Sequence, residues 1–157
     1  MPEDKSRRAS GQPPGGPRNT TALLGLAYMS LGRRIVDGVD AAGFAQRPAH
    51  SAVFAHIDVE GGTRLTTLAA RANMTPQALG ELVDELERLD YVRRQPDAQD
   101  RRAKRIVLTD RGLATVAAAQ QTISGIEAEL AAMLGKDRLG DLHDALERIA
   151  GTGATEE

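Results

Sequence analysis

The chain has 157 residues, enough for one compact domain and too few for two ordinary ones. Hydrophobic residues make up 41% but aromatics only 3%, with no Trp, so the core has to come from Leu, Ile, Val, Ala and Met, which suits packed helices better than a sheet sandwich. The lack of Cys excludes disulfides, thiol nucleophiles and thiolate metal sites, and no apolar run is long enough for a helical membrane span. The formal net charge of −2 conceals an uneven distribution. From Arg93 to Arg105 six cations face two anions, whereas from Gly112 to Glu157 three cations face eight anions. A local basic patch is the usual electrostatic footprint of a phosphate-binding surface, and a solvated hairpin is its plain alternative. No signal peptide is evident at the N-terminus, so the expectation is a soluble, cytoplasmic protein.

In chain order, residues 1–19 hold four of the seven prolines and little that is apolar, and read as a disordered tail. Thr20 or Thr21 is placed to cap a first helix running to about Ala42. Leu24, Tyr28, Leu31, Ile35 and Val39 form one apolar stripe on it, and Leu23, Leu26, Met29 and Val36 a second. A helix apolar on two sides has to bury both, which points to a partner beyond its own domain. Gly25 and Gly32 fit either a close helix approach or simple tolerance. Pro48 suits the first position of a second helix over about residues 48–58, ended by Glu60-Gly61-Gly62.

Leu65 to Arg71 reads as a short helix with Thr66 as its cap, and Asn73-Met74 as a turn. Thr75 caps the next helix with Pro76 at its first position, and Leu79, Leu82, Val83, Leu86 and Leu89 give it a clean inward stripe. Tyr91 to Gln95 reads as a strand, Pro96 to Ala103 as a polar loop, and Lys104 to Leu108 as a second strand with Ile106 and Leu108 facing in. Thr109 caps a long helix, Asp110 complements its dipole, and Gly135 ends it. A last helix carries Leu139, Leu142, Leu146 and Ile149; residues 151–157 read as a flexible end. A short helix, a tight turn, a longer capped helix and a basic hairpin describe a winged helix-turn-helix. The fold class is therefore mainly α with a small β-hairpin wing, flanked by N- and C-terminal helices suited to dimerisation, with the longer helix in the DNA major groove.

The stretch RLTTLAARANMTPQALGELVDELERLDYVRRQPDAQDRRAKRIVLTDRG, Arg64 to Gly112, closely resembles the multiple antibiotic resistance regulator (MarR) family. RPAHSAVFAHID, Arg47 to Asp58, is similar to that family's second helix, and LGKDRLGDLHDALERI to its C-terminal dimerisation helix. Asp100-Arg101-Arg102, followed by Val107-Leu108-Thr109-Asp110-Arg111-Gly112, is the most specific part. The resemblance covers nearly everything from residue 21 to 150. It implies a DNA-binding part at about 63–111 and dimerisation helices at about 20–44 and 112–150. It also implies a homodimer, regulation at pseudo-palindromic double-stranded DNA, and release by a small aromatic or anionic effector.

On the presumed recognition helix, Thr75, Gln77, Ala78 and Glu81 stand at the exposed start. Gln77 has the chemistry to pair with adenine, and Glu81 to accept from the cytosine amino group or simply to face water. Glu81, Asp84, Glu85 and Glu87 make this helix acidic, which phosphates would repel. By resemblance, Arg102 is the minor-groove arginine and Asp100 the carboxylate that orients it; a narrow minor groove concentrates negative potential. Arg93, Arg94, Arg101, Lys104 and Arg105 are candidate phosphate contacts or solvated cations. Tyr28, Met29, His50 and Phe54 are candidates for an effector pocket, with ordinary packing as the alternative. His50 and His56 are six residues apart and do not share a helix face as paired ligands would, so no metal is expected. There is no Ser–His pair, Gly-rich phosphate loop or other catalytic constellation, so neither an enzyme nor a cofactor is expected. The competing reading is a winged-helix protein-interaction module without DNA binding: the acidic recognition helix favours it, the basic wing opposes it.

Overall fold

The computed structural model describes residues 19–97, 100 and 103–152. The expected tail before Asn19, and Arg101 and Arg102 in the wing, lie outside the described residues, as do residues 153–157. Helix α1 spans Thr20–Ala41. Its cap is Asn19, whose side chain accepts from the Ala22 N–H, and neither Thr20 nor Thr21 fills that role because both are already in the helix. The expected second helix shrinks to a 3-10 turn, Pro48–His50, and a single α turn, α2, Ser51–Phe54. Regular α-helix ends at Phe54, and a few residues on Asp58 folds the chain back on itself, accepting from the N–H groups of Glu60 and Gly61.

A two-residue strand, β1 (Thr63–Arg64), leads into α3 (Leu65–Arg71). Thr66 does not cap α3, since the helix has already begun at Leu65. Helix α4 (Pro76–Arg88) starts as expected, with the Thr75 side chain accepting from the Ala78 N–H and Pro76 in the first turn. Strands β2 (Val92–Pro96) and β3 (Lys104–Leu108) form the wing. The sheet order is β1-β3-β2, antiparallel throughout, with Ile106 opposite both Thr63 and Arg94. Helix α5 (Asp110–Leu134) is capped by Thr109, which accepts from the Gly112 N–H, and α6 (Lys136–Thr152) runs two residues into the stretch read as flexible.

One core joins α2, α3, α4 and the sheet. Val53, Leu68, Leu79, Val83, Leu86, Tyr91, Val92 and Ile106 are all essentially inaccessible. Tyr91 closes it: its ring meets Phe54 edge-on at 6.0 Å, and its hydroxyl donates to the Ala45 carbonyl. The α5 start is locked to this point, because the Thr109 N–H donates to the Tyr91 carbonyl and the Thr109 hydroxyl to that of Asp90. A Cβ at Gly112 would overlap the Tyr91 carbonyl oxygen, so only glycine admits this approach. Helices α1 and α5 pack against each other, with Gly38 closing on Thr122 and Arg34 paired to Glu129 at 2.5 Å. A Cβ added at Gly25 or Gly32 would meet no side chain or other element within 4 Å, so close approach along α1 falls at Gly38 instead.

Candidate nucleic-acid interface

Helix α4 buries Leu79, Leu82, Val83 and Leu86, which turns Gln77, Glu81, Asp84 and Arg88 outward on one exposed face. Thr75 is exposed at the helix start and Ala78 is half-buried behind it. Wing residues Arg93, Asp100 and Lys104 are exposed, while Arg94 and Arg105 are half-buried. The structure therefore places Gln77 and Glu81 on one exposed face of α4 with Thr75 exposed at its start, and the wing at the end of the adjoining sheet.

The acidity of α4 is largely cancelled within the chain. Arg94 on β2 reaches back to Asp84 at 2.7 Å and to Glu87, and its own N–H donates to Glu87. Burial works against the Arg94 charge, but the bonds to Asp84 and Glu87 outweigh it and raise its pKa. On the opposite flank Glu85 meets the Arg47 guanidinium at 3.0 Å and His50 Nε2 at 3.0 Å. The His50 bond, followed by the charge of Arg47, holds the Glu85 carboxyl below its ordinary range despite desolvation. Among the described residues, Glu81 is the α4 carboxylate left without an ion pair.

At the wing root, Asp97 is buried at 2% exposure and accepts from Arg64 Nε at 2.7 Å, with Arg105 3.6 Å away. The Asp97 bond, together with its charge, raises the Arg64 pKa. Arg105 also donates to the carbonyls of Gly61 and Gly62, tying the loop before β1 to β3. Asp97 also seats the loop by its backbone: its N–H donates to Ala103, whose N–H donates to Asp100. The sequence marked Asp97 only as a loop anion; its long-range partner, Arg64, lies 33 residues away and leaves no local signal.

A cavity of about 820 Å³ opens between α1, α2 and α5. Tyr28, Met29 and Phe54 line it, together with Val36, Thr115 and Val116. His50 does not; it borders a smaller cavity of about 480 Å³ with Arg47, Glu85 and Arg88. Its inward turn follows from burial: at 1% exposure the ring is spent on Glu85 and on the Arg47 N–H, and is unavailable to the larger cavity. Gln46 borders both cavities, and its buried amide nitrogen has no acceptor among the described residues. It lies in an irregular connection with no periodicity, so sequence reasoning passed over it. Among the described residues no cluster of His, Asp and Glu is arranged to hold a metal, and no helix is long and apolar enough to cross a membrane.

Residues 47–103 match the model of the MarR family. No curated protein matches the chain by sequence. Among solved structures, the transcriptional repressor CouR bound to a 23-mer DNA duplex is 26% identical, with a TM-score of 0.70 over 84% of this chain and 92% of CouR. Apo MarR from E. coli is 20% identical, with a TM-score of 0.68 over 83% of this chain and 96% of MarR. The PcaV regulator from Streptomyces coelicolor, in complex with its natural ligand, is 22% identical, with a TM-score of 0.63 over 88% of this chain and 94% of PcaV. At those identities the likeness to MarR and PcaV is one of fold. The family match across the helix-turn-helix and wing, with the same architecture continued through α1, α5 and α6, gives this chain the winged helix-turn-helix fold of the MarR-family transcription regulators it resembles.

Proposed function

We propose that the chain acts as a homodimeric repressor of a pseudo-palindromic operator and leaves it when a small aromatic or anionic compound binds. The observation that carries the reading is the partial charge compensation of α4: Asp84, Glu85 and Glu87 are paired within the chain, which weakens the repulsion phosphates would meet beside Gln77 and Glu81. Gln77 and Glu81 read base edges in the major groove, with Thr75 and Ala78 at the helix entry. Arg93, Arg101 and Lys104 meet phosphates, and Arg102 enters the minor groove with Asp100 as its orienting partner. Arg94 and Arg105 contribute chiefly by holding α4 and the wing root in place. CouR, the relative at 26% identity, is a repressor seen on DNA, which supports the same use of this surface.

Dimerisation follows from the apolar surface of α1. Leu26, Tyr28 and Met29 are 64–78% exposed in the protomer, and a two-fold pairing is the commonest closed way to cover such a face. The effector site is the 820 Å³ cavity, with apolar walls from Tyr28, Met29 and Phe54 and a buried amide donor from Gln46 suited to a carboxylate or carbonyl oxygen.

The test is operator binding by Arg102→Ala, using a duplex selected from a random pool by the wild-type protein. The variant should weaken binding by roughly 1–3 kcal/mol and flatten its salt dependence. Stability should change by no more than about 0.5 kcal/mol. Wild-type affinity at moderate salt would remove the wing as a reader. Failure of the wild type to select any sequence would favour an interaction module instead.

A further inference from the structure

Helix α4 is gripped on two flanks, and the grips differ in kind. Arg94 holds one flank from the adjoining strand through exposed or half-buried groups. The other flank is held from the 3-10 turn by His50, which is almost completely buried. The chemistry of the His50 ring is fully determined by its neighbours. Nδ1 lies 3.2 Å from the Arg47 N–H, which can only donate, so Nδ1 is the acceptor. The ring proton therefore sits on Nε2, 3.0 Å from Glu85 Oε2, and is donated to that carboxylate. Arg47 brings a second donor to the same oxygen at 3.0 Å.

Glu85 stands one helical turn beyond Glu81 on the same side of α4, beside the inward row of Leu82 and Leu86. A bond at this point opposes rotation of the helix about its own axis and adds a fixed direction that apolar burial alone does not have. A helix with its side chains is about 10 Å across, so a roll of about 20° would displace an outward side-chain tip by roughly 2 Å. That exceeds what a hydrogen bond to a base edge tolerates.

We propose that His50 is a positioning residue for sequence reading: through Glu85 it sets the roll of α4 and so aims Gln77 and Glu81 at the bases. The inference rests on the proposal that α4 reads DNA. Its consequence is specific. Loss of the His50–Glu85 bond lowers discrimination between cognate and random duplexes, while phosphate contacts from the wing keep non-specific affinity and its salt slope as they were.

The experiment uses the full chain and a duplex selected by the wild type from a random pool. His50→Leu should reduce the ratio of cognate to random-duplex affinity about ten-fold or more, the scale of one lost base contact. His50→Gln, which restores an N–H near the Nε2 position, should recover most of it. Glu85→Ala changes a partly exposed residue and should lose discrimination to the same degree even if His50→Leu folds poorly. In DNA-free protein, nitrogen NMR should show the His50 ring as a single Nε2–H tautomer. A folded Glu85→Ala protein that discriminates as the wild type does, or a ring protonated on Nδ1, overturns the assignment. If the wild type selects no sequence, the reading of α4 as a DNA reader fails first and this proposal falls with it; a selected operator with unchanged variants rejects His50 alone.

Discussion

At the root of the wing, Asp97 sits in a position that local sequence gives no reason to notice. Its carboxylate is buried, bonded to Arg64 and flanked by Arg105, so its removal leaves two cations facing each other over an emptied site. Asp97→Ala should destabilise the fold by about 1–3 kcal/mol, the cost of stranding partly buried charged partners, and should weaken DNA binding through the displaced wing. Urea denaturation and a gel-shift on one preparation check both; an unchanged midpoint would mean that the sheet seats the wing without it. Glu85 supplies the pH dependence. Its folded pKa lies below the ordinary 4.5, chiefly through His50 and then through Arg47, with Arg88 adding a weaker attraction. A depressed carboxylate contributes stability that is complete above its unfolded pKa and is lost as pH falls through the folded value. Wild-type stability should therefore drop as the solution is acidified below about pH 4.5, and Glu85→Ala should show a shallower loss over that range, read by denaturant midpoints from pH 6 to 3. Of the candidate residues, the exposure of Thr75, Gln77 and Glu81 was legible because a cap, a proline and a recurring apolar row fix which side of a helix faces out. Asp97, Gln46 and the Glu85 partnership were not, because each depends on a residue distant in sequence or on an irregular segment.

The elements divide along the same line. Helix α4 and strand β3 begin and end where local chemistry says, and α5 starts at its Thr109 cap and stops before Gly135. Thr75→Ala should cost about 1 kcal/mol by removing the acceptor for the Ala78 N–H, measured as a lower melting temperature. Gly112→Ala should be worse, about 1–3 kcal/mol or more, since the added methyl overlaps a carbonyl that itself binds the Thr109 N–H. A melting temperature within a degree of wild type would show that α5 can shift away at little cost. The segment from Pro48 to Thr63 behaved otherwise. Apolar spacing suggested about ten helical residues, but only a 3-10 turn and one α turn form, and β1 appears where no alternation announces a strand. Two residues are too few to show a period; β1 exists because β3 offers it an edge, with Arg105 binding the preceding glycine carbonyls.

For the whole molecule, the long apolar α1 and the cavity beneath it set the expectations. Light scattering should return twice the chain mass at micromolar concentration, and Tyr28→Glu, a charge on the 78% exposed position of α1, should shift the population toward monomer. A monomeric wild type would defeat the two-fold operator model as well. An aromatic acid such as 4-hydroxybenzoate that occupies the cavity should raise the melting temperature and weaken operator binding by the same coupling factor. A thermal shift with unaltered DNA affinity would separate cavity binding from control of DNA. The amino-acid sequence alone determined the helix-rich class, the helix-turn-helix with its wing, and the exposed row of α4, because caps, prolines and apolar periodicity act within a few residues of chain. Only the tertiary structure decided that three of the four carboxylates of an acidic helix are paired within the chain, that His50 bonds to that helix rather than lining the large cavity, and that Asp97 ties the wing root to Arg64. Those outcomes rest on partners 7 to more than 30 residues apart, and Coulomb and hydrogen-bond energies depend on distances that only the folded chain defines.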